Sequence, residues 1–388
     1  MLVITGTRSE FGILEPVCRA IAAHPDLELR LAVTGVHLLR RYGHTVDDVV
    51  RSGLPVDYRV SCYDEGPIDE EVLPRAIGRG VAGLGDAMRA AEADVVVVLG
   101  DRAEALAGAV AAYSSGRCVA HLHGGEKTDS GTLDEGFRHA ITRLAHLHFV
   151  ATEAAAARLI AHGEEPQRVH LVGAPGLDNV FEFVRRWRQL GVETSAAAFR
   201  ERQGFAPGQP TGVLLLHPDR WHRGEAGALT AAALESLLGN DLGVIAIHPN
   251  GDPGSEEIMA AIETVRARSP GRVRVHASLP REEFHAALAS AAVLVGNSSA
   301  GAIEAPVVGV PVVNVGDRNR EREHGRGVEF VAAEGRAIDA AIRRALVEPW
   351  RLGPHPGPYG DGTASGRIAD VLARWVRDAV TLGKRVTA

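Results

Sequence analysis

Short apolar runs rich in β-branched residues alternate with amphipathic helical stretches along the whole chain. These runs lack polar alternation, which is typical of strands in parallel sheets that helices cover on both faces. Because the runs form two sets, the sequence predicts an α/β protein of two doubly wound, Rossmann-like domains facing each other across a cleft. The predicted strands are 2–5, 29–33, 94–99, 117–122, 147–151 and 168–172 in the first set and 212–217, 243–248, 272–276, 292–297 and 311–315 in the second.

A short segment with two glycines and a proline, at 173–176, follows the last strand of the first set. We therefore expect an N-terminal domain at 1–174 and a C-terminal domain at 175–365, which a chain of 388 residues can accommodate. A Gly/Pro-rich stretch at 354–366 precedes an amphipathic helix, and we expect residues 366–388 to pack back on the first domain.

The net charge of −7 gives the chain no global field for nucleic acid or an anionic membrane, so we expect neither as a partner. An anionic ligand must be held by a local cluster of donors. Cys18, Cys62 and Cys118 show neither disulfide nor zinc spacing, which fits a reducing cytoplasm. The chain opens on a strand rather than a signal peptide, and no apolar run reaches the ~20 residues of a membrane span.

Ligands of doubly wound sheets bind at the carboxyl ends of the strands, so polar residues after each strand are the candidates. The loop TGTRSEFG (5–12) offers Gly6, helix N-terminal amides and Arg8, which predicts an anion site. The alternative is an ordinary turn with a surface arginine. The spacing of Gly80, Gly83 and Gly85 approximates a nucleotide pattern, but these residues precede a strand and are assigned to a helix.

The segment GDRAE (100–104) follows the third predicted strand. Asp101 and Glu104 would lie on one face of the start of a helix. Taken alone, the pattern is better explained by helix capping, with Asp101 at the N-cap and Glu104 completing a capping box.

The densest polar segment lies at 121–149 and runs from His121 and His123 through Glu126 to Arg138 and His139. Acids, imidazoles and a guanidinium near one strand end can remove one proton and deliver another. A metal site at the two first histidines is disfavoured because no further Cys or His pair accompanies it. Packed structural histidines are the more favoured alternative.

The segment GNSSAGAIEAP (296–306) combines hydroxyls with the amides of a helix N-terminus, which favours phosphate binding at Ser298, Ser299 and Gly301. Glu304 would accept hydrogen bonds from a ribose diol. The alternative is an N-cap serine followed by a packing glycine.

Three arginines follow at the next strand end, in GDRNRERE (316–323). Their position beside an amide-rich loop favours a diphosphate ligand, and the alternative is a solvated surface with the neighbouring glutamates. The arginines are Arg318, Arg320 and Arg322.

His217 and His248 each precede a proline at a strand end of the second set. The proline ends the strand, and both histidines would then point into the cleft. A structural turn explains each histidine equally well.

In this order, the motifs TGTRSEFG, VTGVHLLRRYGHT, GDRAE, HLHGGE, SGTLDEGFRHAITRLAHLHF, HPNGD and GNSSAGAIEAPVVGVPVVNVGDR resemble those of the hydrolysing UDP-N-acetylglucosamine 2-epimerases, which feed sialic and legionaminic acid synthesis. The resemblance extends from residue 2 to about residue 328. It implies a GT-B-like architecture, a UDP-amino sugar substrate held mainly by the C-terminal domain, no cofactor or metal, and a homo-oligomer, either dimer or tetramer.

The resemblance also implies residue roles. The catalytic set would be Asp101, Glu126, Asp134, Arg138 and His139. The substrate-binding set implied by the resemblance would be Arg8, Ser298, Ser299, Gly301 and Glu304, and the strand-end positions add His217, His248, Asn250, Arg318 and Arg322 to it.

Two departures from relatives leave alternatives open within the catalytic set. His123 stands where some relatives have a glutamate. Glu126 therefore either takes over the catalytic role of that glutamate or supports the site without contacting the substrate. The segment after Glu126 is about two residues longer, so Glu135 or Asp129 can replace Asp134.

The implied reaction starts with departure of UDP, which acidifies the proton at C2 of the sugar. A carboxylate, Asp101 or Glu126, removes that proton to give a 2-acetamidoglycal, and water then adds at C1 while a second acid protonates C2 from the other face. The competing hypotheses are a non-hydrolysing epimerase, a sugar transferase of the same fold, and a non-catalytic UDP-sugar binder.

Overall fold

A computed structural model describes residues 1–66, 68, 71–127, 133–218, 224–249, 254–347, 357–378 and 382–383. The described chain forms two compact units. The first comprises residues up to Asp178 and again from Gly360, and the second comprises Asn179–Tyr359.

The first unit is a seven-stranded parallel sheet in the order β3-β2-β1-β4-β5-β6-β7. The sequence order reverses between β1 and β4, which creates a switch point where loops diverge and ligands bind. Its elements are β1 (Leu2–Thr5), α1 (Arg8–Ala23), β2 (Arg30–Thr34), α2 (Val46–Arg51), β3 (Tyr58–Val60), α3 (Leu73–Ala90), β4 (Val95–Leu99), α4 (Ala103–Ser114), β5 (Cys118–Leu122), α5 (Leu133–Leu144), β6 (Leu147–Val150), α6 (Glu153–Ala161) and β7 (Val169–Leu171).

The second unit is a six-stranded parallel sheet in the order β10-β9-β8-β11-β12-β13, with its own switch point between β8 and β11. Helix α7 (Gly176–Gln189) leads from the first unit into the second. The further elements are α8 (Val192–Arg202), β8 (Thr211–Leu215), α9 (Ala226–Gly239), β9 (Gly243–Ile247), α10 (Ser255–Arg268), β10 (Val273–His276), α11 (Arg281–Ser290), β11 (Ala291–Gly296), α12 (Ser299–Val308), β12 (Val312–Val315), β13 (Val328–Val331) and α13 (Gly335–Val347).

Each sheet is apolar on both faces because helices cover both sides. In β4, Val95 and Val97 pack with α1, whereas Val96 and Val98 pack with α3 and α4. Successive residues of a strand point to opposite faces, so an uninterrupted apolar run is what such a strand requires.

A final helix, α14 (Ala364–Arg377), returns to the first unit. Ile368 and Leu372 are fully buried in the core that also contains Val17 of α1. Within the described ranges, no helix combines the length and apolarity that crossing a bilayer requires.

The predicted α/β class with two parallel sheets is confirmed, and all eleven predicted strands are present within one or two residues. The sequence did not predict β3 or β13. Both are edge strands of three or four residues that carry charged side chains, Arg59 and Glu329.

Candidate active site

The loop between β1 and α1 is closed by its own side chains. The carboxylate of Glu10 accepts hydrogen bonds from the amides of Gly6 (2.8 Å) and Thr7 (3.1 Å), and the Thr7 hydroxyl accepts one from the Glu10 amide (3.2 Å). This capping box occupies two of the amides that the sequence analysis had offered to an anion. Arg8 is exposed at the first position of α1.

A buried charge cluster lies beneath this loop. Glu10 and Glu104 are both buried, and Nε of Arg102 lies 3.3 Å from Glu104. Burial raises the pKa of Glu10 to about 7, with Arg102 opposing the shift and Glu104 adding to it. Gly35 has a φ of +62°, and a Cβ there would lie 2.5 Å from Oε1 of Glu104, so the glycine leaves room for the carboxylate.

Asp101 follows β4 and does not cap α4. Arg102 is the N-cap residue of that helix, and it makes no capping hydrogen bond with its side chain. The capping explanation is therefore wrong for Asp101, whose Oδ2 instead accepts a hydrogen bond from Nη2 of Arg138.

The buried guanidinium of Arg138, on α5, joins groups from three segments. Nη1 donates to the Glu126 carbonyl oxygen (2.8 Å) and to Oε2 of Glu135 (2.6 Å), while Nη2 holds Asp101. We call this set, Asp101, Glu126, Glu135 and Arg138, the Arg138 cluster. It unites three of the predicted residues with Glu135, which the sequence had offered as an alternative.

Two other predicted residues lie on the same helix and are exposed. Asp134 precedes Glu135 in the first turn of α5. His139 lies one turn further, with Nε2 3.4 Å from Oε1 of Glu135. Asp129 lies outside the described residues.

The turn after β5 brings His123 and Glu126 together, with Nδ1 of the imidazole in contact with Oε1 of the carboxylate. His123 adopts a left-handed conformation with a φ of 61°. The turn is tightly packed, because a Cβ on Gly125 would lie 2.6 Å from the Ala155 carbonyl oxygen. Arg158 also donates to the Gly125 carbonyl oxygen (2.6 Å).

The neighbouring histidines are structural. Nε2 of His121 donates to the Gly100 carbonyl oxygen (2.7 Å), and burial lowers the pKa of His121 to about 3. His146 accepts from the Val119 amide (3.1 Å), and buried His148 pairs with Glu164 at 3.0 Å. The described residues contain no group of three or more side chains able to hold a metal ion.

In the second unit, Asn297 organises the strand ends at the switch point. Its side chain accepts from the His217 amide (2.7 Å) and donates to the His217 carbonyl oxygen (2.9 Å). Its own carbonyl oxygen accepts from Arg318 (2.9 Å) and Asn319 (2.8 Å). Asn297 thus ties the ends of β8 and β11 to the loop after β12.

The Ser298 segment shows the capping geometry that the sequence left as an alternative. Ser298 is the N-cap residue of α12, and its hydroxyl accepts from the Ala300 amide (3.4 Å). The Gly301 amide donates to the Ser298 carbonyl oxygen (3.0 Å), and a Cβ on Gly301 would lie 3.0 Å from Val312. Gly301 therefore packs on the sheet, while exposed Ser299 opens the helix.

Glu304 lies one turn further along α12. Its Oε1 is 3.7 Å from both Arg281 and His285. Burial works to raise the pKa of Glu304, but His285 and Arg281 outweigh it and hold the pKa below its usual range. A carboxylate kept ionised in this way remains a hydrogen-bond acceptor.

The three arginines after β12 differ in their surroundings. Arg318 is half-buried against Asn297, and Arg322 is also half-buried. Arg320 is exposed and pairs with Asp317 at 2.6 Å, which is the solvated arrangement. Within this unit, a small recess at the strand ends is lined in part by His217 and Asn297.

The two histidines before prolines are half-buried at the ends of β8 and β9. Burial lowers the pKa of His217 to about 4, and Arg318 adds to the shift, so the imidazole is neutral at pH 7. The His248 amide donates to the His276 carbonyl oxygen (2.9 Å). Asn250 lies outside the described residues.

The family model of UDP-N-acetylglucosamine 2-epimerase matches residues 19–373 of this chain. A Legionella pneumophila protein, the UDP-N,N'-diacetylbacillosamine 2-epimerase (hydrolyzing), is 35% identical over 372 residues, which cover 96% of this chain and 95% of the relative. The chain belongs to the UDP-N-acetylglucosamine 2-epimerase family.

Further members of this epimerase family agree. The UDP-N-acetylglucosamine 2-epimerase of Neisseria meningitidis serogroup B is 35% identical over 345 residues, covering 89% of this chain and 87% of the relative. The crystal structure of the N. meningitidis UDP-GlcNAc 2-epimerase bound to UDP-GlcNAc superimposes with a TM-score of 0.80 at 19% identity, covering 96% of this chain and 99% of that one. The resemblance predicted from the motifs is confirmed, and so is the GT-B-like fold class.

Sequence reasoning missed two groups that contact the segments of the predicted site residues. The sequence analysis gave Glu10 no role beyond its place in a loop, although its spacing from Thr7 is that of a capping box. Asn297 lies inside a quoted motif, but its contacts with His217 and the β12 loop arise only from the tertiary fold.

Proposed function

We propose that this epimerase-family chain is the hydrolysing type, which converts UDP-N-acetylglucosamine, or its 2,4-diacetamido-6-deoxy analogue, to UDP and the free 2-epimeric sugar. The observation that carries the epimerase chemistry of this proposal is the Arg138 cluster, which gathers Asp101 and Glu135 on one guanidinium with Glu126 beside them. Inversion at a carbon needs one group to remove a proton and another to supply one, and gathered carboxylates can do both.

The proposed reaction begins at the bond between C1 and the diphosphate oxygen. That bond breaks with its electron pair leaving on UDP, and the proposed donors that stabilise its charge are Arg8, Ser298, Ser299 and Arg322. The cationic character at C1 acidifies the C2 proton, which a group of the first unit removes to form a 2-acetamidoglycal.

Water then bonds to C1 as one of its O–H bonds breaks and releases a proton to the solvent, and a second acid of the first unit protonates C2 from the opposite face. Asp101 or Glu126 is the proposed base for the first transfer, and Asp134 is the proposed acid for the second. Arg138 and His139 are proposed to orient the carboxylates of the first unit. Arg138 binds Asp101, and His139 lies beside Glu135.

For the second unit, we propose that the UDP moiety lies along the loops that Asn297 organises. The lowered pKa of Glu304 supports its assignment to the ribose hydroxyls. His217, His248, Asn250 and Gly301 complete the proposed set.

A non-hydrolysing epimerase is the second candidate, because the family includes relatives described simply as UDP-N-acetylglucosamine 2-epimerases. The hydrolysing assignment is favoured by the Legionella relative, which matches over nearly the whole of both chains. We further propose a cytoplasmic homo-oligomer; the three cysteines are buried and unpaired, as a reducing compartment permits.

The test is incubation of the pure protein with each UDP sugar in deuterated water, followed by NMR. We expect free UDP and a free sugar with deuterium at C2. UDP sugar epimerised without UDP release would identify the non-hydrolysing type, and a product without deuterium at C2 would refute the proton-transfer mechanism.

The matched variants are Asp101→Asn and Asp86→Asn. Asp101→Asn removes the carboxylate held by Arg138, and we expect turnover to fall by at least about 100-fold while UDP still binds. Asp86→Asn changes an exposed carboxylate of α3 that pairs with Arg89, so its turnover should equal that of the wild type.

A further inference from the structure

The imidazole of His123 is held at one nitrogen only. Nδ1 contacts Oε1 of Glu126, whereas Nε2 is buried and has no hydrogen-bond partner among the described residues. His121 offers a contrast two residues earlier, because its Nε2 is bonded to Gly100 and its Nδ1 lies 3.3 Å from the Thr142 hydroxyl. His121 is thus a satisfied structural histidine, and His123 is not.

The carboxylate decides which nitrogen of His123 carries the hydrogen. An ionised Glu126 can only accept, so Nδ1 is the donor and Nε2 keeps its lone pair. A carboxylate that fixes the tautomer of a histidine in this way prepares the second nitrogen for proton transfer and stabilises the imidazolium that forms.

The ring is also fixed in place at the functional edge of the sheet. The His123 amide donates to the Phe149 carbonyl oxygen (3.0 Å), one residue beyond β5. Because β4 and β5 pair in parallel with Leu99 opposite Leu122, His123 and Asp101 emerge from neighbouring strand ends. Glu126 is anchored as well, since its carbonyl oxygen is bound by Arg138.

The backbone of His123 is in the left-handed conformation, which is strained for a residue with a Cβ. A non-glycine residue at a φ of 61° is uncommon, and asparagine or glycine would adopt it with less strain. Such outliers gather at functional sites, where the side chain compensates for the strain.

We propose that His123 is a proton-transfer group of the reaction, acting through Nε2, and that Glu126 is its orienting partner. This inference rests on the proposed function and replaces Glu126 as the base suggested by the sequence. As the C1–O pair leaves with UDP, the C2–H bond breaks, its electrons form the C1–C2 double bond, and the proton passes to Nε2. The resulting imidazolium is neutralised by the Glu126 carboxylate.

The decisive variants are His123→Asn and His123→Gly, because both residues tolerate the left-handed backbone and neither can carry the proton. We expect both to lower kcat by at least about 100-fold, with the affinity for UDP within about threefold of the wild type. Melting temperatures near that of the wild type would show that the turn is intact.

Turnover in the presence of added imidazole is a second measurement. A purely structural role of His123 would leave this turnover unchanged. We expect imidazole to restore part of the turnover of His123→Gly but none of that of Asp101→Asn, and we expect the restored rate to vary with the basicity of ring-substituted imidazoles. A restored rate that does not depend on the basicity of the imidazole would mean that the ring only positions Glu126. That result would overturn the proposal.

The wild-type arm separates this proposal from the function on which it rests. A wild type that is inactive on both UDP sugars overturns the proposed function and this assignment with it. An active wild type together with a His123→Asn variant that keeps turnover within about tenfold overturns the assignment alone.

Discussion

Glu10 combines two roles that normally conflict. Its carboxylate caps α1 through the Gly6 and Thr7 amides, which favours the ionised form, yet it is buried beside Glu104. Burial is the dominant influence and raises the pKa of Glu10 to about 7. The folded protein therefore holds a proton here between pH 4.5 and 7 that the unfolded chain releases, and stability falls as the pH rises through this window.

This linkage gives a prediction for Glu10→Gln. The amide oxygen of glutamine can still accept from Gly6 and Thr7, but it carries no charge to bury. We expect the variant to match the wild type near pH 5 and to melt at least about 2 °C higher at pH 8, measured by calorimetry across this range.

Glu15→Gln on the same helix is the control for Glu10→Gln. Glu15 pairs with Arg19 near the surface, so its variant should follow the wild-type pH profile. A Glu10→Gln variant with the same pH slope as the wild type would contradict a protonated Glu10.

At the residue scale, the sequence predicted charged groups better than their partners. Asp101 and Arg138 were both identified, but their contact was not, because it joins segments 37 residues apart. Helix phase left two acids open: Asp134 and Glu135 lie four and three residues before Arg138, both spacings meet on a helix face, and the structure shows the bond from Arg138 to Glu135.

At the element scale, Gly80 of α3 allows this helix to pack closely on its neighbour. A Cβ on Gly80 would lie 2.9 Å from the Cβ of Ala107 on α4, whereas a Cβ on Gly78 would meet nothing within 4 Å. The two helices approach closely where Gly80 faces Ala107, which explains this glycine without any nucleotide.

Alanine substitutions should separate these two glycines. Gly78→Ala should stabilise the first unit by about 0.5–1 kcal/mol, because alanine favours the helix and nothing clashes. Gly80→Ala gains the same propensity but forces α3 away from α4, at a cost of about 1–3 kcal/mol. Chemical denaturation measures both, and equal stabilisation would contradict close helix packing at Gly80.

The predictability of the strands follows their position in the sheet. Central strands such as β4 are buried on both faces, so every residue must be apolar and the run is obvious. Edge strands β3 and β13 pair on one side only, are short and tolerate polar residues, so their signal is weak. The other two edge strands, β7 and β10, keep enough β-branched residues to be predicted.

At the scale of the whole molecule, the first unit is completed by residues that follow the second unit in sequence. Asp178 links the two parts, since its carboxylate accepts from the amides of Ala364 (3.1 Å) and Ser365 (2.7 Å) at the start of α14. These amides have no partner within the helix, so Asp178 caps α14 from outside.

Replacing this external cap gives a prediction about both units. Asp178→Ala should cost about 1–2 kcal/mol and increase amide exchange in α14 and in α1, which shares its core. Exchange in β8, β9 and β11 of the second unit should not change. Mass spectrometry of deuterated peptides measures all of these, and uniform loosening of both sheets would contradict a local role for Asp178.

The return of the chain at Gly360 has a consequence for biosynthesis. A ribosome makes the seven strands of the first sheet before any of the second, yet α14 emerges only after the whole second unit. Ile368 and Leu372 fill a pocket on α1, and they are synthesised some 180 residues after the rest of the first unit. This pocket therefore stays empty for about 10–40 s at bacterial or eukaryotic elongation rates. The half that starts first is therefore the half that finishes last, and nascent-chain chaperones should meet it with that apolar groove still uncovered.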